Sequence, residues 1–443
     1  MTELKEKNQQ IGKKQTSVGN SRLLFFACWL VYACSYIARG NFSFARSLMI
    51  EGAVIGAGIA GTISAVYFIC YAVGQLVNGA LADRLSPFLM VSLGLFLVAV
   101  TNFAMTLSQS AVLFCVLWGL NGIGQSMLWS PVFFIISNAL NDKVKFFAVT
   151  VVSLCTPAGK TLSGLLSGVA LRDGRWENVF YMASLIVVAV SILWIAVYLS
   201  VRRDIVITRQ EQRCSEKRTE KQNSSTVVST FRMLLSGGLL LLVLPLLIHG
   251  LFYNGVIEVI PSILSTQYGL SPSAAAVLDA VIPIIGVSGV FFSNFVYLKM
   301  FRRNEVKGAA FCMIACVVPV AVMLLMSLFG GDGSLFGKYA DACIFVVSYG
   351  VIYVLQLAFG HLIISIMAMK YSKFSLAATV SGFTNAVNYG GSAIATYGMS
   401  YAVEELPLWG MTVLWLGCLC VAGVALFFAT RRWTAFSKKN NFI

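Results

Sequence analysis

The sequence predicts an all-α membrane protein in which twelve transmembrane helices form two six-helix bundles. The first observation is composition: 58% of the 443 residues are hydrophobic and 11% are charged, whereas soluble domains carry about 25% charged residues. The second is that apolar segments long enough to span a bilayer, roughly 20 residues each, recur along the chain. The third is that the basic residues collect in alternate connections. A soluble enzyme and a disordered chain are therefore excluded.

Hydropathy and helix-breaking residues place the individual helices. The first six are predicted near residues 23–49, 56–82, 87–108, 110–139, 145–171 and 177–201. The second six are predicted near 234–266, 272–299, 306–330, 338–369, 374–401 and 406–430. The expected organisation is a tail (1–22), an N-terminal bundle (23–201), a polar linker (202–232), a C-terminal bundle (233–430) and a second tail (431–443). Two halves of similar length indicate an internal duplication.

The basic residues define the expected orientation. Most of the 32 Lys and Arg lie in the two tails, in the linker and in connections such as 299–307. Lys and Arg accumulate in the loops that stay in the cytoplasm. We therefore predict a multi-pass protein of the cell (cytoplasmic) membrane with both termini in the cytoplasm. The same clustering explains the net charge of +14 without a nucleic-acid partner; membrane lipid is the expected surrounding, and a monomer the expected state.

Polar side chains mark the helices that face the protein interior. The third, sixth, ninth and twelfth segments are apolar nearly all round, whereas most others carry polar residues in steps of three and four. Because lipid cannot satisfy such stripes, we predict a polar cavity inside the membrane; the alternative is a dry core of helix–helix hydrogen bonds. The neutral residues expected to line the cavity are Tyr36, Tyr71, Gln75, Gln125, Tyr253, Tyr353, Gln356 and Asn385.

Four ionisable residues lie well inside predicted spans: Arg39, Lys160, Glu258 and Asp279. Each costs about 2.5–3.5 kcal/mol at a helix centre when unpaired. Both cations belong to the first half and both carboxylates to the second, so the cavity is expected to be neutral. Arg39 can bind a carboxylate or phosphate in bidentate fashion, with Lys160 assisting. Glu258 and Asp279 are coupling or gating charges, or members of permanent salt bridges.

Catalytic and metal-binding patterns are not found in the sequence. There is no metal-ligand spacing, phosphate-binding glycine loop or nucleophile triad, so we expect no cofactor, no metal and no enzymatic activity. His249 and His361 are interpreted as hydrogen-bonded packing residues. The eleven cysteines lie mostly in apolar segments and are expected to be free.

Several segments carry a family resemblance. The run Tyr36-Ile-Ala-Arg39-Gly-Asn41-Phe42-Ser43 resembles the first-helix signature of the organophosphate:phosphate antiporter family of the major facilitator superfamily. The fourth-helix run from Asn121 to Pro131 is similar as well, as are Ser381-Gly382-Phe383 and Asn388-Tyr389-Gly390-Gly391 in the eleventh. The segment Gly79 to Arg84 contains Asp83 and Arg84, which resemble the conformational loop motif of the superfamily.

The resemblance implies a major facilitator fold that exposes a midplane site alternately to the two sides. In this family two arginines grip the substrate phosphate. Arg39 matches the first, whereas the second position falls on Tyr253, and a family lysine falls on Gln75. The family's acidic positions match Glu258 and Asp279.

The predicted function is secondary active transport of a small organic anion, either a phosphate ester or a carboxylate, with Arg39 binding the anionic group. Two alternatives stay open. One is a proton-coupled symporter of a carboxylate or zwitterion, with Glu258 or Asp279 protonated during the cycle. The other is a transporter-like membrane sensor of sugar phosphate, which would bind its ligand without moving it.

Overall fold

A computed structural model describes residues 16–82, 86–141, 143–144, 148, 151–152, 154–220, 238–329, 335–371 and 377–440. In these residues the chain is helical and contains no strand, which confirms the predicted fold class. The helices of the first half are α1 (Val18–Glu51), α2 (Ala57–Ala82), α3 (Pro87–Met105), α4 (Ala111–Asn138), α5 (Cys155–Ala170) and α6 (Glu177–Glu220). Those of the second half are α7 (Leu239–Tyr268), α8 (Pro272–Met300), α9 (Glu305–Phe329), α10 (Lys338–Lys370), α11 (Ala377–Glu405) and α12 (Leu408–Lys439).

Ten of these described helices are long and apolar enough to cross a membrane. The other two, α5 and α11, differ for identifiable reasons. The described part of α5 has 16 residues, and α11, with 29 residues, contains Ser, Thr, Asn and Gly along its whole length. Helices of this polarity are stable in a membrane only where neighbouring helices or a cavity cover their polar face.

Several boundaries differ from the sequence-based prediction. Helix α6 continues to Glu220 and α12 to Lys439, beyond the predicted ends at 201 and 430. Residues 202–220 contain no Gly or Pro and many good helix formers, so nothing ends the helix where the apolar segment ends. Helix α1 begins early, at Val18, because the Ser17 hydroxyl accepts a hydrogen bond from the Asn20 N–H and caps it.

Helices α3, α6, α9 and α12 lie at the periphery, as their uniform apolarity predicts. Each presents large apolar side chains outward: Phe96 is 65% exposed, Leu185 71%, Val318 68% and Val424 61%. In a bilayer these faces contact lipid. The remaining helices surround the interior, where the polar stripes lie.

Among the described residues, the two halves pack closely at one end of the bundle. We call this the distal end; it carries the connections at 52–56, 171–176, 269–271 and 406–407, opposite the end that holds Val18 and Lys439. There α5 packs against α8: a Cβ built on Gly164 would lie 2.8 Å from the Ala280 Cβ, and the Ser273 hydroxyl donates to the Gly168 carbonyl at 2.6 Å. Helix α2 packs against α11 in the same way, with Gly58 against the Tyr401 ring.

Helix α7 is irregular near the middle of the second half. It passes from an α-helical segment (Val243–Gly250) through a π-helical turn (Leu251–Val256) and a 3₁₀ turn (Ile257–Val259) before it resumes at Ile260. The π turn contains Tyr253, and the 3₁₀ turn contains Glu258. Turns of this kind inside an α-helix are frequent at functional sites.

Candidate functional site

Arg39 lies at the centre of α1, enclosed by aromatic rings. Its side chain is 7% exposed. Its guanidinium carbon lies 4.9–5.6 Å from the ring centroids of Tyr36, Tyr67, Phe68, Tyr71 and Tyr389. Four of these rings belong to the first half and Tyr389 belongs to α11 of the second, so Arg39 sits at the interface of the halves. Rings at this distance attract a cation by about 0.5–2 kcal/mol without using its N–H donors.

Helix α4 fixes the position of α1 at this level. The Gln125 side-chain amide donates to the Ser35 carbonyl at 3.0 Å, and the Asn121 amide donates to the Ala38 carbonyl at 3.1 Å. The Thr156 hydroxyl of α5 donates to the Tyr36 hydroxyl at 3.0 Å. The polar residues of α4 and α5 therefore hold the helix that carries Arg39. Gln125 acts here as a support of α1.

Lys160 contacts the opposite half. Its ammonium nitrogen lies 5.0 Å from the ring centroids of Tyr253 on α7 and Tyr353 on α10. This nitrogen is enclosed and has no hydrogen-bond partner among the described residues. The two predicted cations are thus both held by rings, with hydrogen-bond donors left for an anion.

The two predicted carboxylates are not paired with these cations. The ion pairs within 4.0 Å in the described part of the chain are Arg175–Glu177 and Lys370–Glu305. Asp279 is 6% exposed, and its Oδ1 has no hydrogen-bond partner among the described residues; Glu258 is half-buried. Permanent salt bridges, the alternative interpretation of the four charges, are therefore not present in this conformation.

Arg46 is a further buried cation that was not among the four predicted charges. It is 1% exposed, and its Nε and Nη1 have no hydrogen-bond partners among the described residues. It lies seven residues after Arg39, hence on the same face of α1 and about 10 Å nearer the distal end. The same two-turn spacing was visible in the sequence. The expected neutral sum covered four charges and did not include Arg46; with Arg46 added, the five residues carry a formal charge of +1.

The other predicted lining residues have different surroundings. Gln75 donates to the Tyr71 hydroxyl at 2.8 Å and so belongs to the ring cluster around Arg39, and Asn385 is half-buried on α11. Gln356 does not line the site: its Oε1 accepts from His249 at 2.9 Å, and its amide lies 3.4 Å from the Met313 sulfur, inside the second half. Gln356 lies three residues beyond Tyr353, and three residues fall about 60° short of a full helical turn. Its side chain therefore points away from that of Tyr353 and towards α9.

Three further residues contribute to the site although the sequence did not assign them to it: Tyr67, Phe68 and Tyr389, which supply rings around Arg39. Tyr67 precedes Tyr71 by one helical turn, a usable signal, whereas nothing in the sequence pairs Tyr389 with α1. Asp83 and Arg84 lie outside the described residues. In the described residues no group of three or more His, Cys, Asp or Glu could hold a metal ion.

Comparisons with known proteins cover nearly the whole chain. The family model described as Major Facilitator Superfamily matches residues 28–396. The chain is 22% identical to a "Probable hexose phosphate transport protein" of Chlamydia trachomatis, over 96% of this chain and 93% of the relative. It is 21% identical to the "Glycerol-3-phosphate transporter" of Bacillus subtilis, over 93% and 91%. A crystal structure of a D-xylose-proton symporter superposes with a TM-score of 0.67 at 11% identity, covering 92% of this chain and 96% of that one.

Proposed function

The chain belongs to the Major Facilitator Superfamily, and we propose that it is a secondary transporter of a phosphate ester of a small sugar or polyol. The full-length relatives confirm the resemblance to the organophosphate:phosphate antiporter family and are named as transporters of hexose phosphate and glycerol 3-phosphate. They are transporters rather than enzymes, in agreement with the sequence analysis. Transport of a small organic anion by alternating access is the activity that fold and site support together.

The observation that carries the proposal is that Arg39 is buried without a carboxylate partner among the described residues. A buried guanidinium without a carboxylate partner costs free energy that the ring contacts offset only in part. Its N–H donors remain available in a fork that matches two oxygens of a phosphate. A bound phosphate ester would supply the missing charge at the interface of the two halves. The formal charge of +1 favours an anion over a neutral solute or a cation; it is summed over Arg39, Arg46, Lys160, Glu258 and Asp279.

Lys160 supplies the second positive group. The resemblance puts the second family arginine at the position of Tyr253, and the Tyr253 ring holds the Lys160 ammonium. We infer that the cation is contributed by α5 of the first half in place of α7 of the second. Tyr36 and Tyr71 would contact the substrate next to Arg39, with Gln75 and Asn385 towards the end of the bundle that carries the termini.

Alternating access follows from the arrangement of the halves. They pack at the distal end in this conformation, so the substrate would reach Arg39 from the end that carries the termini. We propose that this end is cytoplasmic, that the protein lies in the cytoplasmic membrane, and that it acts as a monomer surrounded by lipid. Separation of α5 from α8 and of α2 from α11 would open the distal end. Glu258 and Asp279, both in the second half, would act as coupling or gating charges.

Exchange in proteoliposomes tests the proposal. Purified protein is reconstituted with internal phosphate, and uptake of labelled phosphate is measured with and without competing hexose 6-phosphate or glycerol 3-phosphate. We expect exchange that requires internal phosphate and falls about 100-fold in Arg39→Gln, since two charge-assisted hydrogen bonds are lost. Arg22→Gln is the matched control, because Arg22 is an exposed arginine on the same helix. Exchange that survives Arg39→Gln would refute the role of Arg39.

The same assay separates the alternatives. A proton-coupled symporter would accumulate substrate in response to an imposed pH gradient, and Glu258→Gln or Asp279→Asn would abolish that response. A sensor would bind phosphate ester to purified protein but show no exchange. Transport of carboxylates without phosphate exchange would retain the fold and the role of Arg39 but change the substrate class.

A further inference from the structure

A column of stacked rings lies in the second half beside Lys160. The His249 ring stacks on Tyr253, with centroids 5.3 Å apart and planes at 19°, and Tyr253 stacks on Tyr353 at 5.0 Å and 14°. The Phe359 ring also contacts His249, with centroids 5.0 Å apart and planes tilted at 38°. The last two rings of the column, Tyr253 and Tyr353, are the ones that hold the Lys160 ammonium.

His249 is fixed at the far end of this column. It is 1% exposed, and its Nδ1–H donates to the Gln356 Oε1 at 2.9 Å. The Gln356 amide in turn lies 3.4 Å from the sulfur atoms of Met313 and Cys316 on α9. The backbone of α10 closes the remaining edge, since a Cβ on Gly360 would lie 2.9 Å from the His249 Nε2. The imidazole therefore has one position.

The backbone alone does not provide this rigidity. Tyr253 lies in the π-helical turn Leu251–Val256, where the regular hydrogen-bond ladder of α7 is interrupted. Lys160 has a flexible four-carbon stem and no hydrogen-bond partner among the described residues. Both groups thus need side-chain contacts to hold a fixed position, and the stacked column supplies these contacts.

We propose that His249 is a positioning residue: anchored by Gln356, it fixes the Tyr253 ring, and the Tyr253–Tyr353 pair holds the Lys160 ammonium where an anion can bind it. A cation held by rings keeps its three N–H donors for the ligand. Holding it in place before binding lowers the entropic cost of binding. The claim that the Lys160 ammonium binds an anion rests on the proposed function, whereas the position of the ammonium beside the two rings does not.

The first test measures the position of Lys160 without any ligand. Full-length protein is treated with an amine-acetylating reagent, and acetylation of Lys160 is quantified by mass spectrometry. We expect Lys160 to react about tenfold faster in His249→Leu than in wild type, and also faster in Gln356→Leu, which keeps the imidazole ring but removes its anchor. His361→Leu, at the chain's other histidine, is the matched control and should react like wild type. Equal rates in His249→Leu and wild type would overturn the proposal.

The second test asks whether the effect passes through Lys160. His249→Leu should weaken the binding of inorganic phosphate to the purified protein about tenfold. In protein that already carries Lys160→Gln, adding His249→Leu should not weaken phosphate binding further. The same loss in both backgrounds would mean a merely structural role and would refute the proposal. If His249→Leu does not fold, Gln356→Leu replaces it, with the same expectation. If wild type does not bind phosphate, the proposed function fails, and the acetylation rates still decide the role of His249.

Discussion

The contact between α5 and α8 gives the sharpest test of how the two halves move. Gly164 lies on α5 at the interface, where the Ala280 Cβ and the Ala276 carbonyl oxygen would be 2.8 and 2.9 Å from an added Cβ. Ordinary contacts of a methyl group are about 3.5–4.0 Å. Gly164→Ala therefore introduces an overlap on two sides, one of them backbone. The overlap exists only while the distal end is closed.

The magnitude follows from the cost of an extra methyl group in a packed interface. Overpacking of this kind costs about 1–3 kcal/mol. Because the cost falls on the distal-closed conformation alone, the ratio of closed to open molecules should decrease about 5- to 150-fold. Helix propensity acts in the opposite direction, since Ala is favoured over Gly by about 1 kcal/mol within a helix, but it affects both conformations equally.

Hydrogen exchange with mass spectrometry measures this shift without added labels. In Gly164→Ala, amides in the distal segments around 52–60 and 268–276 should exchange faster than in wild type, and peptides from the opposite end should exchange more slowly. Gly398→Ala is the matched control, because Gly398 lies on α11 with no atom within 4 Å of an added Cβ. If both variants exchange like wild type, the α5–α8 interface does not limit opening, and the reasoning is refuted.

Three further outcomes are expected. Arg39→Lys keeps the charge but loses the planar fork, so phosphate exchange should fall at least tenfold, and full exchange activity would contradict bidentate binding. Tyr67→Phe keeps a ring 5.5 Å from Arg39 and removes a hydroxyl without a hydrogen-bond partner in the described residues, so phosphate affinity should be unchanged. Tyr67→Leu removes the ring and should weaken phosphate affinity several-fold. Lys370→Met leaves the fully buried Glu305 without the cation 2.7 Å away and should lower the free energy of unfolding by about 3–5 kcal/mol. Arg175→Met, at an exposed pair, should lower it by less than about 1 kcal/mol. Equal losses in the two variants would refute the argument.

The sequence predicted the helices well because apolarity and helical spacing report directly on burial in a bilayer. The outward faces of α3, α6, α9 and α12 follow from the absence of polar residues on them, and Arg39 and Lys160 stand out because charges are rare in such segments. Arg46 was predictable by the same rule. It stands out less than Arg39 because it lies near the end of α1, where basic residues usually reach water.

Contacts between segments that are distant along the chain could not be predicted from the sequence. Tyr389 joins the rings around Arg39 only because α11 packs against α2, a tertiary arrangement that spacing within one helix does not encode. Gln356 was assigned to the wrong face because Tyr353 lies one turn away on α10, and periodicity alone could not decide which of the two lines the site. The π-helical turn at Tyr253 lies where α7 packs closely on α11, since a Cβ on Gly255 would overlap the Ala395 Cβ, and this contact too is not encoded by spacing within one helix.

The unequal distribution of buried charge bears on how the protein is made. Ribosomes deliver the first half to the membrane before the second, so Arg39, Arg46 and Lys160 enter the bilayer while the segment carrying Glu258 and Asp279 does not yet exist. A cation at a helix centre opposes insertion by about 2.5–3.5 kcal/mol and one near a helix end, as Arg46 is, by less; two of the three belong to α1. A chain truncated after Glu220 is expected to insert poorly and be degraded, and co-synthesis of residues 221–443 as a separate chain should rescue it.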